Sequence, residues 1–169
     1  MIEVGILGDE DHVELLDGKI IEISPIGRFH ASCVRNLITF FVPRLVGKFT
    51  CSPEQPISIA DGSEPEPDFV IATYREDNYA SGHPVPADIQ LLIEVADKTL
   101  ARDRSVKASI YARAGIPEYW IINLIDRQLE RHTAPDAENG LYGKVQIIEE
   151  AGTLTHALTG EVTLLTLLP

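Results

Sequence analysis

The 169-residue chain predicts an α/β (α+β) fold, a mixed central β-sheet flanked by helices with additional antiparallel hairpins. Three observations lead there. Short apolar runs bounded by glycine, proline and asparagine recur along the chain, as the strands of a sheet do. Two longer segments, 30–48 and 102–114, repeat apolar residues at helical spacing. The second joins Leu91-Leu-Ile-Glu-Val-Ala96 to Glu118-Tyr-Trp-Ile-Ile-Asn123, and a strand–helix–strand link of this kind is a crossover between parallel neighbours. The length suits one domain over residues 1–169, large enough for a substantial core.

The elements follow in order. His12 to Ser24 predicts a hairpin. Val13-Glu-Leu-Leu and Ile20-Ile-Glu-Ile flank Asp17-Gly18, a pair suited to a tight turn with positive φ, and Pro25-Ile-Gly27 ends it. In the helix from His30 to Lys48, Val34, Leu37, Ile38, Phe41 and Leu45 share one face. Pro43 is expected to kink or shorten that helix, because it brings no backbone donor. Cys33 falls on the inner face as a small core residue. Residues 49–59 predict a strand, 61–67 a turn-rich approach, 68–73 a strand, and 74–88 an exposed loop around Gly82, Pro84 and Pro86. A strand at 90–96 follows. The helix 102–114 stops at Gly115, with Pro117 beyond it. Val106 and Ile110 are expected to face the core, with Lys107 and Tyr111 at the edge of that stripe. Strand 118–123 turns at Asp126-Arg127 into 128–132. A loop over 135–143 leads to strand 144–149. The apolar tail, 162–168, is expected as a final strand or part of a dimer contact.

Composition narrows the function. The apolar fraction of 44% and charged fraction of 24% are those of a globular protein. No apolar run reaches the roughly 20 residues of a membrane span. Met1-Ile-Glu-Val-Gly lacks the basic and apolar regions of a signal peptide, so a cytoplasmic location without membrane contact is expected. Cys33 and Cys51 lack metal-ligand spacing. The net charge of −12 excludes nucleic-acid binding through overall charge, because that binding rests on lysine and arginine against phosphates. Positive charge would have to be concentrated locally. Lys98, Arg102, Arg104, Lys107 and Arg113 form one such group, and Arg28, His30, Arg35, Arg44 and Lys48 a looser second.

Two acids stand out. Asp68 opens the run Asp68-Phe-Val-Ile-Ala72, and Glu94 lies inside Leu91-Leu-Ile-Glu-Val-Ala96. A carboxylate inside an apolar strand is paired, hydrogen-bonded or bound to a metal. Side chains alternate along a strand, so Glu94 shares a face with Leu92 and Ala96. If the two strands pair, both carboxylates meet at one end of the sheet. Such oxygen donors suit Mg²⁺ or Mn²⁺, an ion that can stabilise charge building on a phosphoryl oxygen. Lys107, on the following helix, can reach back over the sheet and stabilise a transition state. Taken singly, Glu94 also reads as half of a structural salt bridge, Asp68 as a turn or cap residue, and Lys107 as a solvated lysine. The argument rests on their combination.

These residues, in their order, resemble the PD-(D/E)XK nuclease superfamily. The chain resembles more closely its Uma-two group of restriction-endonuclease-like proteins. The matching text is Val13-Glu-Leu-Leu-Asp-Gly-Lys-Ile-Ile-Glu-Ile-Ser-Pro25, His30, Pro65-Glu-Pro-Asp68, Leu92-Ile-Glu-Val-Ala96, Asp103-Arg104, Lys107 and Tyr111-Ala-Arg-Ala-Gly-Ile-Pro-Glu-Tyr-Trp-Ile-Ile122. The resemblance implies a restriction-endonuclease-like core and a metal-dependent endonuclease that hydrolyses DNA phosphodiester bonds. It implies Asp68 and Glu94 as ligands of Mg²⁺ (or Mn²⁺) and Lys107 as the catalytic lysine. Position 96 is alanine where the superfamily pattern has lysine, and Lys107 matches the group's lysine on the next helix. Glu14 and Glu22 match acidic positions in the N-terminal hairpin, and His30 and Tyr111 are further accessory candidates. A homodimer would suit duplex cleavage. Two other functions remain open on the same residues: a catalytically silent binding module on a nuclease fold, and a hydrolase of small phosphorylated molecules.

Overall fold

The computed structural model describes residues 13–22 and 27–169. The outer ends of the expected N-terminal hairpin, most of its Pro25-Ile-Gly27 stop and the first residues of the chain lie outside the described residues. The hairpin is β1 (Val13–Leu16) paired antiparallel with β2 (Lys19–Glu22). Its turn holds Asp17 at φ 50° and Gly18 at φ 73°, a geometry that asparagine, aspartate and glycine accept at least cost.

Helix α1 (Arg28–Leu45) buries Cys33, Val34, Leu37, Phe41 and Leu45. It runs through Pro43 to its end. Pro43 and Thr39, whose carbonyl loses its donor, are both exposed, so water can replace the missing bond near the helix terminus. Cys33 and Cys51 are free, and burial pushes the Cys33 thiol up to about 12.

Strand β3 (Phe49–Pro53) is shorter than the 49–59 expected. Glu54 takes φ 50° and ends it. The main sheet then adds β4 (Phe69–Thr73), β5 (Ile89–Ala96), β6 (Glu118–Asn123), β7 (Gln128–Asp136) and β8 (Leu141–Glu149). Its six strands lie in the order β3-β4-β5-β6-β7-β8. Only β5 and β6 are parallel; the crossover between them contains α2 (Leu100–Arg102), a π-helical stretch (Asp103–Lys107) and α3 (Ala108–Arg113). Strands β7 and β8 extend further towards each other than expected, leaving a short turn where a loop over 135–143 was anticipated. Ala134 adopts φ 59° there. Its carbonyl would stand 3.2 Å from a Cβ at position 143, so glycine permits the close approach.

Each sheet face has its own core. On one, α1 packs Leu37, Phe41 and Leu45 against Phe69, Ile71, Leu91, Ile93 and Trp120. The same core takes up an unanticipated hairpin, β9 (Thr153–His156) with β10 (Gly160–Thr163). The tail after β10 is a 3₁₀ turn, Leu164–Thr166, and not a continuing strand. Leu164, Leu167 and Leu168 are buried in this core, and the Asn36 side chain donates to the Leu168 carbonyl at 2.9 Å. Those leucines pack within their own chain. On the other face, Leu16, Ile57, Val70, Leu92, Ile110, Tyr111, Tyr119 and Ile121 form the second core. Burying one large side chain contributes roughly 1.5–3 kcal/mol.

A buried carboxylate pins the crossover to β7. Glu130 accepts a forked pair of hydrogen bonds from Arg104, the shortest at 2.7 Å. Burial alone would raise its carboxyl, but neighbouring His132, the Arg104 guanidinium and Asn123 bring it down to about 2. His132 Nε2 lies 3.8 Å away, beyond hydrogen-bond reach, so Arg104 is the main partner. A depressed carboxyl stabilises the fold above its unfolded pKa, near 4.3, and loses that contribution as pH falls towards 2. Arg104 is half exposed, so solvent screens the pair. Glu130→Gln is expected to cost about 1 kcal/mol at pH 7, a difference that fades in acid. Urea denaturation at both pH values checks this.

Candidate functional site

Strand β4 pairs β5 antiparallel with Phe69 opposite Ile93. That register sets Asp68, the residue before β4, across from Glu94. Both carboxylates therefore meet at one end of the sheet. Asp68 Oδ2 accepts the Val95 backbone N–H at 2.6 Å, and its Oδ1 faces His30 Nε2 at 2.9 Å. His30 comes from the first turn of α1. Burial would lower the imidazole pKa, but the Asp68 hydrogen bond and the charges of Asp68, Glu54 and Asp97 raise it overall.

Glu94 lies on the inner face of β5, 4% exposed. Its Oε1 accepts from Lys107 Nζ at 2.9 Å and Tyr111 Oη at 2.8 Å. Lys107 Nζ is also 3.0 Å from Glu14 Oε2. Burial disfavours this ammonium, but Glu94, Glu14 and Asp103 outweigh it and push its pKa up. Lys107 stays protonated. Burial pushes Glu94 up as well, against the pull of that ammonium. Lys107's direction decides the chemistry, because a lysine held among carboxylates is a fixed positive charge and not a base.

The crossover reaches this geometry through its π-helical stretch. The Ala108 N–H bonds back to Asp103 O, five residues earlier. The wider turn brings Asp103 and Lys107 inward together, 1% and 4% exposed. It also turns Val106 outward, to 44% exposure, where an unbroken α-helical period would put it on the core. Asp103 is an acid that sequence reasoning did not single out. Its Oδ2 accepts Thr99 Oγ1 at 2.5 Å, and burial raises its carboxyl. Its spacing of four residues from Lys107 was the available signal.

The hairpin acids separate. Glu14 is 3% exposed, ion-paired through Oε2 with Lys107 and with Oε1 3.8 Å from Arg102. Glu22 is exposed and pairs opposite Val13. The two-residue turn sets Glu14 opposite Ile21, so the pleat sends Glu14 and Glu22 to opposite faces. The sequence already contained this register. The hairpin is anchored by Asp17 N–H to Ser63 Oγ at 2.9 Å and by Glu64 N–H to Leu15 O at 2.8 Å.

Asp68, Glu94, Lys107, Glu14, His30, Asp103, Glu54, Glu66 and Asp97 line one cavity of about 150 Å³, together with Lys98 and Arg102. Acids outnumber cations around it. The carboxylates of Asp68, Glu54 and Glu94 on this lining make the donor set fit a hard divalent cation. Of the expected basic groups, His30, Lys98, Arg102 and Lys107 line the cavity, whereas Arg104 binds Glu130, Arg113 lies near Asp17 and Arg44 lies over the Phe40 ring.

Comparison with known proteins agrees with this fold. The family model Uma2, described as "Putative restriction endonuclease", matches residues 3–167. The crystal structure of a "putative nuclease belonging to DUF820" from Anabaena variabilis superposes with a TM-score of 0.75. It is 13% identical, with 98% of this chain and 94% of that one covered. The type IIG restriction endonuclease BpuSI gives a TM-score of 0.47 at 18% identity, covering 90% of this chain and 17% of that enzyme. No curated protein matches the chain.

Proposed function

The chain belongs to the Uma2 family of restriction-endonuclease-like proteins, and from that premise we propose that the cavity is the active site of a divalent-cation-dependent nuclease acting on DNA. The observation that carries the proposal is the convergence of Asp68, Glu94 and a buried Lys107 at one end of the sheet. Mg²⁺ or Mn²⁺ bound there would supply Lewis-acid stabilisation of charge on a phosphoryl oxygen. Asp68 and Glu94 would hold it. Tyr111, donating to Glu94 Oε1, fixes that carboxylate. Lys107 places a positive charge where negative charge builds in phosphodiester hydrolysis, or orients the attacking water. Since Lys107 stays protonated, it does not take up the water's proton.

One observation favours a second reading. Most cations near the cavity are already paired within the chain, which suits a small phosphorylated substrate better than a long anionic backbone. A single experiment separates these and the silent module: incubate the protein with plasmid and single-stranded DNA in Mg²⁺ or Mn²⁺, with and without EDTA. Cleavage that chelation abolishes is the expected result. Hydrolysis of a small phosphate ester without any DNA cleavage would move the assignment to the second reading. Inactivity on both would leave a binding module. Sedimentation of the same preparation reads whether two copies pair, as a duplex nuclease would suit.

A further inference from the structure

We infer that His30 and Glu54 complete the cation site with Asp68, giving a mixed nitrogen–oxygen centre that prefers Mn²⁺ to Mg²⁺. The inference rests on the proposed function and deepens it by naming the ligand set and the class of ion. One donor atom from each of these three side chains lies within 4.8 Å of the others. His30 is held on α1 with Nε2 at 2.9 Å from Asp68 Oδ1. Glu54 is held beside Asp68 by its own N–H bonding to the Asp68 carbonyl at 3.2 Å. Among the described residues, no hydrogen bond or ion pair engages the exposed Glu54 carboxylate.

Glu94 is less available. Its Oε1 is already taken by Lys107 and Tyr111, so only its second oxygen can face an ion. Glu14, 3% exposed, adds negative charge to the same cavity, with its Oε2 3.0 Å from Lys107 Nζ and its Oε1 3.8 Å from Arg102. A plain His30–Asp68 ion pair would account for two of these groups and leave Glu54 and the excess of acids unexplained. An imidazole ligand discriminates between ions. Mg²⁺ takes oxygen donors and sheds water reluctantly, whereas imidazole nitrogen suits transition-metal ions.

The test is calorimetric titration of Mn²⁺ and Mg²⁺ into the wild type, His30→Gln, Glu54→Gln and Glu94→Gln, with pulsed EPR of the Mn²⁺-loaded proteins. Circular dichroism and thermal melting show that each variant is folded. Mn²⁺ is expected to bind at least tenfold tighter than Mg²⁺, with nitrogen coupling in the EPR signal. His30→Gln is expected to lose that coupling and to weaken Mn²⁺ at least tenfold while leaving Mg²⁺ nearly unchanged. Glu54→Gln is expected to weaken both ions. Mn²⁺ binding without nitrogen coupling, unaffected by His30→Gln and lost in Glu94→Gln, would overturn the inference and leave the proposed nuclease intact. Absence of binding of either ion to the wild type would overturn both.

Discussion

Lys107→Met is expected to abolish cleavage and to destabilise the fold by about 3–5 kcal/mol, the cost of leaving a buried charge without its partner. Lys107 Nζ sits 2.9 Å from Glu94 and 3.0 Å from Glu14, and both acids are buried. Methionine keeps the packing but removes the only cation within hydrogen-bond reach of either acid among the described residues. The two losses can be separated. The triple variant Glu14→Gln, Glu94→Gln, Lys107→Met removes the three charges that face one another, leaves Asp103 on its Thr99 hydrogen bond, and is expected to recover most of the stability while staying inactive. Denaturant midpoints and a cleavage assay on the same samples decide this. If the single variant proves as stable as wild type, Lys107 does not carry the charge balance of the cavity.

Asp68→Asn should separate activity from stability in the opposite way. The amide oxygen can still accept the Val95 N–H that Asp68 Oδ2 now accepts at 2.6 Å, so the fold should lose no more than about 1–2 kcal/mol. The lost negative charge, however, lies against His30 and where the proposed cation would bind. Cleavage is expected to fall by roughly 10²–10³ or more, the scale of removing one preorganised electrostatic group. An Asp68→Asn protein cutting at the wild-type rate would move the catalytic centre away from this end of the sheet. Because the substitution is close to isosteric, a change in melting temperature beyond a few degrees would instead point to a structural role.

Much of this arrangement was legible in the residues. The Asp17-Gly18 turn, the Gly115 stop and the crossover between strands 91–96 and 118–123 are local signals, and each stands in the structure. The alternation that put Glu94 on a face with Leu92 and Ala96 also holds, because strand pairing preserves a period of two. The pairing of Asp68 with Glu94 depended on one assumption, that their strands are neighbours, and β4 and β5 are. The role of Glu14 was half legible: its face follows from a two-residue turn, but its partner does not.

What the tertiary structure decided lies where distant segments meet or where a helix leaves its regular period. His30, Glu54 and Asp68 come from a helix, a strand end and a loop, and no short-range pattern brings them together. The π-helical stretch moved Val106 outward and Asp103 inward, against a reading that carried a 3.6-residue period through it. The tail leucines entered the chain's own core because α1 and the β9–β10 hairpin leave apolar surface for them. By itself the sequence determined the elements, the strand faces and the chemical types available, since these follow from backbone periodicity and side-chain chemistry. Which of those groups share one cavity was decided only on folding, because ion pairing and burial act between segments that the chain order keeps apart.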